Sequence, residues 1–292
     1  MKHMNVFISK PLGYCHGVVR AIELVKKIAF EHPKRQVYVL GRIVHNQDVI
    51  NELDELGIIT LESNHLSKEQ LIENLPSDAI LIFTAHGHPR QFEEIAKRKN
   101  LTIYDATCPM VLSTHHLIKR ELKNNHQIIY IGKHFHPEAE AALSLNKNVF
   151  LIEEFSDLET LNITDESPYI INQTTLSYLE LNLLHEKLKK VFPKARFANE
   201  ICNATRLRQE GVFTLPSYLK LVYVVGDQKS SNTNSLVKVA KSYLKEAKVL
   251  RILNVKEINP THLKGLKDVG VISSASTPLE VVQEVINFLN LQ

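Results

Sequence analysis

Two rhythms of apolar and polar residues take turns along this chain. Short runs of β-branched and apolar residues read as strands, and stretches with an apolar residue every three or four positions read as amphipathic helices. The pattern predicts strands at Asn5–Ser9, Gln36–Leu40, Ala79–Thr84, Thr102–Tyr104, Gln127–Ile131, Val149–Ile152, Tyr169–Asn172, Leu221–Val225, Val249–Ile252 and Val269–Ser273. It predicts helices at Val18–Phe30, Asn46–Leu56, Lys68–Asn74, Pro89–Lys99, Met110–Asn124, His136–Leu145, Tyr178–Val191, Ala204–Gln209, Thr233–Lys245 and Pro278–Leu289. Such alternation is the signature of an α/β fold with mostly parallel sheets. Pro89 and Pro278 stand near helix starts, where a missing N–H costs little.

The alternation also repeats at long range. Cys15, Cys108 and Cys202 lie 93 and 94 residues apart, and there is no fourth cysteine. After each comes an apolar run, a glycine and, four positions later, a polar residue: Gly41 then His45-Asn46, Gly132 then His136-Pro137-Glu138, Gly226 then Ser230-Ser231-Asn232. Farther on, each copy ends a buried run in a second polar loop, at His86-Gly87, Thr174-Thr175 and Ser276-Thr277-Pro278. Ligands bind at the carboxyl ends of such strands. The period suits a small α/β domain rather than a solenoid repeat. It divides the chain into units at 16–107, 108–200 and 201–292, the last joined by an N-terminal strand within 1–15. Packed about a pseudo-threefold axis, the three copies would aim three thiols and six polar loops at one cleft.

Composition sets limits on this picture. The chain has 292 residues, 44% hydrophobic and 23% charged, with a net charge of +3. That is ordinary for a globular protein and too mild to imply nucleic-acid binding. No apolar stretch reaches the length of a membrane span, and no signal-peptide core opens the sequence. Three cysteines far apart argue against a disulfide framework, so a reducing cytoplasm is expected.

Each thiol precedes a predicted helix, whose free N–H groups lower a thiol's pKa and can support metal-bound sulfur. A single buried Cys is often a small core hydrophobe, but three at matching stations point to a shared centre. Three thiolates hold a metal centre and leave one position open; His16 as a fourth ligand would close a zinc site instead. The polar loops offer His45, His86, His136, Thr174, Ser230, Ser231, Asn232 and Ser276, which are hydrogen-bond donors suited to phosphate oxygens. Singly, such Ser and Asn residues serve as helix N-caps. Neither a Walker motif nor a dinucleotide fingerprint follows any strand. Glu138, beside Thr174 in the expected cleft, is the candidate general acid, and Asp105 is placed to brace the Cys108 loop.

Nine segments carry a resemblance to a known family. They are Gly13–Ala21, Ile43–Asn46, Ala85–Gly87, Asp105–Pro109, Gly132–Glu138, Asn172–Ser177, Ile201–Thr205, Val225–Asn234 and Ala275–Pro278. In order and over nearly the whole chain, they resemble the LytB family of 4-hydroxy-3-methylbut-2-enyl diphosphate reductases, of the non-mevalonate isoprenoid pathway. The resemblance implies a trefoil of three α/β domains around a [4Fe–4S] cluster on Cys15, Cys108 and Cys202, with one iron open. It implies reductive dehydroxylation of the substrate to isopentenyl and dimethylallyl diphosphate, with electrons from a ferredoxin or flavodoxin. The diphosphate would be gripped by His45, His86, His136, Ser230, Ser231, Asn232 and Ser276, and Glu138 with Thr174 would deliver the proton. The family commonly carries Phe where Tyr14 stands and Gly where Ser274 stands; Ser274 adds a Cβ that could tighten the diphosphate loop. Two alternatives share the thiols. An iron–sulfur hydro-lyase would favour arginine clamps for carboxylates, and an iron–sulfur redox sensor would have no need of Glu138.

Overall fold

The apolar runs form three parallel sheets in a computed structural model that describes residues 4–198 and 200–292. Residues 1–3 of the expected N-terminal stretch and residue 199 of the expected second unit lie outside it. The first sheet has the order β1 (Asn5–Ile8), β12 (Asp268–Ser273), β10 (Leu221–Val225), β11 (Lys248–Ile252). The second runs β3 (Ile58–Leu61), β2 (Val37–Leu40), β4 (Ile80–Phe83), β5 (Thr102–Asp105). The third runs β7 (Val149–Ile152), β6 (Ile128–Ile131), β8 (Tyr169–Asn172), β9 (Arg196–Phe197).

These are one arrangement three times. In each sheet the first strand of the set lies beside both the second and the third, so the strand order reverses between the two central strands. A reversal of this kind opens a crevice at the carboxyl ends of those strands, the place where α/β sheets bind ligands. In the second and third sheets the fourth strand follows in sequence. In the first sheet β1 fills that position, with Asn5 to Ile8 paired in register to Asp268 to Val271.

Burial explains why the central strands are the most legible. Every residue of β4, β6, β8 and β10 is buried, as expected of parallel strands covered by helices on both faces. Helix α1 (His16–Glu31) lays Ala21, Ile22, Val25 and Ile28 on the sheet of Val37, Val39, Ile80 and Ile82. The remaining helices are α2 (Gln47–Glu55), α3 (Lys68–Glu73), α4 (Arg90–Arg98), α5 (Pro109–Lys123), α6 (Pro137–Leu143), α7 (Tyr178–Val191), α8 (Asn203–Val212), α9 (Ser231–Tyr243) and α10 (Leu279–Asn290). Ile118 of α5 packs on the third sheet and Val212 of α8 on the first. Each cysteine-bearing turn therefore leaves one sheet and begins the helix that covers another.

The structure adds two strands to the sequence expectation. β3 follows α2 across two residues, Leu56 and Gly57, the latter at φ +74°, too short a break to separate the two rhythms. β9 has two residues and pairs only with Tyr169 and Ile170, so it carries no alternation of its own.

Candidate active site

The three cysteines occupy equivalent points. Each is the N-cap of its helix: Cys15 of α1, Cys108 of α5 and Cys202 of α8. Each backbone N–H donates to the loop after the third strand of its own sheet, to Ala275 O at 3.0 Å, Ala85 O at 2.9 Å and Thr174 O at 3.1 Å respectively. This shared bond fixes every thiol beside a polar loop. The Thr205 N–H donates to the Cys202 sulfur at 3.3 Å, and the Thr205 hydroxyl oxygen lies 3.1 Å from the same sulfur. Asp105 braces the Cys108 loop by accepting from Thr107 N at 2.8 Å. Burial raises the Cys108 and Cys202 thiol pKa values, partly offset by helix N–H groups for Cys108 and by Thr205 for Cys202.

Gly17 shows how closely the thiols are gathered. A Cβ there would stand 2.8 Å from Cys108 Sγ and 3.8 Å from Cys15 Sγ. Thiols from two loops thus flank the first turn of α1 in a space that a side chain would fill. Among the described residues no group of three or more His, Cys, Asp or Glu could share a single metal ion.

Glu138 sits in the first turn of α6 and is 1% exposed. Thr174 grips it twice: its N–H donates to Oε1 at 2.7 Å and its hydroxyl to Oε2 at 3.0 Å. Tyr130 OH donates to Oε1 at 3.4 Å. Burial pushes the carboxyl pKa up to about 7, against the three donors, which favour the anion. The carboxyl is thus poised to hold or release a proton near neutrality, and its charge is felt at Cys108 and Cys202.

The three histidines stand together at the meeting of two units. The rings of His86 and His136 are 5.4 Å apart, edge to face. Burial holds all three below the ordinary pKa, His86 at about 4, and mutual repulsion lowers His86 and His136 further. At neutral pH they are uncharged donors. His136 is also the cap of α6, with its Nδ1 accepting from Glu138 N at 3.2 Å. A neutral His136 therefore carries its proton on Nε2. A cavity of about 390 Å³ borders His45, His86 and His136, with Lys68, Lys133 and Lys229 on its walls.

The third unit contributes hydroxyls and an amide. Ser230 caps α9 and its Oγ lies 2.9 Å from Ser276 Oγ. Ser276 Oγ lies 3.1 Å from Ser274 Oγ, so Ser274 does hold this loop. Ser231 Oγ accepts from Thr175 Oγ1 at 2.9 Å and Gln173 Nε2 at 3.3 Å, which leaves its own proton to give. Asn232 Oδ1 accepts from Thr205 Oγ1 at 3.0 Å, leaving its NH₂ free to donate. Sequence reasoning passed over Tyr130, Gln173, Thr175 and Thr205 as partners. Tyr130 reads as core within an apolar strand and gave no signal. Thr205 stands three residues after its cysteine, the position an N-cap bonds, and could have been found.

With this geometry in place, comparison with known proteins decides the family. The family model described as LytB protein matches residues 6–290. The chain belongs to the LytB family. A relative from Symbiobacterium thermophilum, named 4-hydroxy-3-methylbut-2-enyl diphosphate reductase, is 42% identical and is aligned over 98% of this chain and 97% of its own. A relative of the same name from Bacillus cytotoxicus is 41% identical over 98% of this chain and 90% of its own. The solved structure of the E-1-hydroxy-2-methyl-but-2-enyl-4-diphosphate reductase from Plasmodium falciparum has a TM-score of 0.89 at 31% identity, covering 98% of this chain and 88% of that one. No described helix of this LytB chain is long and apolar enough to cross a membrane.

Proposed function

We propose that this LytB protein is a reductase that converts 4-hydroxy-3-methylbut-2-enyl diphosphate to isopentenyl and dimethylallyl diphosphate. The relatives' names support the substrate. The observation that carries the chemistry is Glu138, a buried carboxyl with a pKa of about 7, gripped by Thr174 and electrostatically coupled to two of the three thiols.

The thiol geometry fits an iron–sulfur cluster. Cys15, Cys108 and Cys202 hold the N-cap positions of three helices and would be soft thiolate ligands; the Cys202 sulfur accepts from the Thr205 N–H, and Gly17 keeps the space beside Cys15 and Cys108 clear. Ligands of a polynuclear centre bind different irons and need not converge on one point. A [4Fe–4S] cluster held by the three thiolates would supply electrons one at a time and an open iron as a Lewis acid.

The chain's own residues do the rest. Ser230, Ser231, Asn232 and Ser276 would offer donors at one end of the cleft, and His45, His86 and His136 at the adjoining face, so a diphosphate would be bound by hydrogen bonds. Glu138 would hold its proton on the carboxyl and deliver it to the departing hydroxyl, which leaves as water; two electrons in all and a second proton, added at either end of the allyl group, would complete the conversion to the two products. Thr174 orients that carboxyl and would stand beside the substrate. In this reading the units span 16–107, 108–200 and 201–292 with the N-terminal strand joined to the third, the enzyme works in the cytoplasm, and ferredoxin or flavodoxin is the electron donor. The test is anaerobic turnover. Reduced viologen should be reoxidised only when 4-hydroxy-3-methylbut-2-enyl diphosphate is present. An iron-loaded chain that gives no substrate-dependent reoxidation would return the site to the hydro-lyase or sensor readings.

A further inference from the structure

Arg208 lies in the second turn of α8 and is only 4% exposed. Its Nη2 donates to Gly13 O at 2.6 Å, and its Nη1 donates to Ala204 O at 3.0 Å. Its Nε is buried with no partner. Among the described residues it forms no ion pair; the nearby Glu210 pairs with Arg206 instead. A buried guanidinium that lacks a counter-charge is strongly unfavourable, so this position makes sense only opposite something negative.

The two acceptors say what that is. Gly13 lies two residues before Cys15, and Ala204 lies two residues after Cys202, so both carbonyls belong to thiol-bearing loops. We propose that Arg208 is the fixed counter-charge and positioning residue of the thiolate-held centre: it clamps the Cys15 loop to α8 and keeps a positive charge against the centre. Although burial lowers its own proton affinity, Cys15 and Cys202 raise it, in keeping with the sign of that contact. The inference rests on the cluster reading above. A cation beside an iron–sulfur centre stabilises the more negative, reduced form and so raises its reduction potential.

Two substitutions separate charge from scaffold. Arg208→Lys keeps the charge and gives up part of the hydrogen bonding; Arg208→Gln keeps hydrogen bonding and removes the charge. Each is purified anaerobically beside the parent, its iron is counted, and its midpoint potential is read by dye-mediated titration followed by electron paramagnetic resonance. The Gln variant is expected to reduce less readily by about tenfold in equilibrium constant, which is about 59 mV for a one-electron couple, while the Lys variant stays near the parent. The rise in melting temperature on loading the cluster should also shrink in the Gln variant and persist in the Lys variant. Should the Gln variant fail to load, the Lys variant decides: loading with a parental potential upholds the counter-charge, and loss of the cluster overturns it. Equal potentials in a loaded parent and a loaded Gln variant would overturn the inference alone. A parent without iron would overturn the cluster reading, and this inference with it.

Discussion

The three cysteine loops are near copies of one another, whereas the six loops beside them differ from unit to unit. Each cysteine caps a helix and bonds its N–H to the neighbouring loop of its own sheet, within 2.9–3.1 Å. The first two units then supply His45, His86 and His136, the second alone supplies Glu138, and the third supplies hydroxyls and an amide. A repeated frame is an economical way to bring equal ligands to one centre. A substrate with a charged end and a reacting end is not symmetric, so its binding needs unequal loops.

The sharpest way to break this comparison is to remove one of the equal parts. Cys15→Ala, Cys108→Ala and Cys202→Ala are each expected to abolish turnover and stable iron binding, and iron analysis would show it. A variant that keeps its iron would end the equivalence of the three loops.

The unequal parts should respond differently. Glu138→Gln is expected to lower kcat by about 10²–10⁴, the usual worth of a general acid, with iron content kept; anaerobic steady-state kinetics measures both. The same variant reports on stability. The folded pKa of Glu138, about 7, lies above the ordinary 4.5. The folded protein therefore binds the proton more tightly between those values. The parent's stability relative to Glu138→Gln should be greatest below pH 4.5 and fall as pH rises through 7, then level off. Denaturant titrations of the apoprotein across that range test the sign. The buried histidines act in the opposite sense, losing stability as pH falls from 6.5 toward 4, so the variant difference is the cleaner readout.

Ser230→Ala and Asn232→Ala are expected to raise KM about tenfold each with smaller changes in kcat, since each removes one donor worth about 1–2 kcal/mol. Thr174→Val removes a hydrogen bond that favours the Glu138 anion, so the alkaline limb of the pH–rate profile should move upward. The smallest effect belongs to Ser274→Gly. It frees Ser276 from a hydroxyl partner at 3.1 Å and should change KM by no more than a few-fold, about 1 kcal/mol or less.

Much of this was legible in the sequence because it was local. The fully buried strands β4, β6 and β10 announce themselves as unbroken apolar runs, and Gly41, Gly132 and Gly226 mark where β2, β6 and β10 end. The six polar loops follow at nearly constant distances because the sheets share one strand order. β3 and β9 were not legible: the first is divided from α2 by Leu56 and Gly57 alone, and the second is two residues long. Among site residues, Glu138 and Thr174 stand out by their place in equivalent loops. Tyr130 and Arg208 do not, because what matters about them is a partner in a different element. The Arg208 guanidinium reaches Gly13, 195 residues away in sequence, and no pattern of spacing encodes that contact.

The central claim is that three equivalent thiols jointly hold one polynuclear centre. Iron and acid-labile sulfide, counted per chain in anaerobically purified protein, test it most directly. About four of each per chain is the predicted result. Stoichiometric zinc, or protein with neither iron nor sulfide, would contradict it and leave the three cysteines as helix caps.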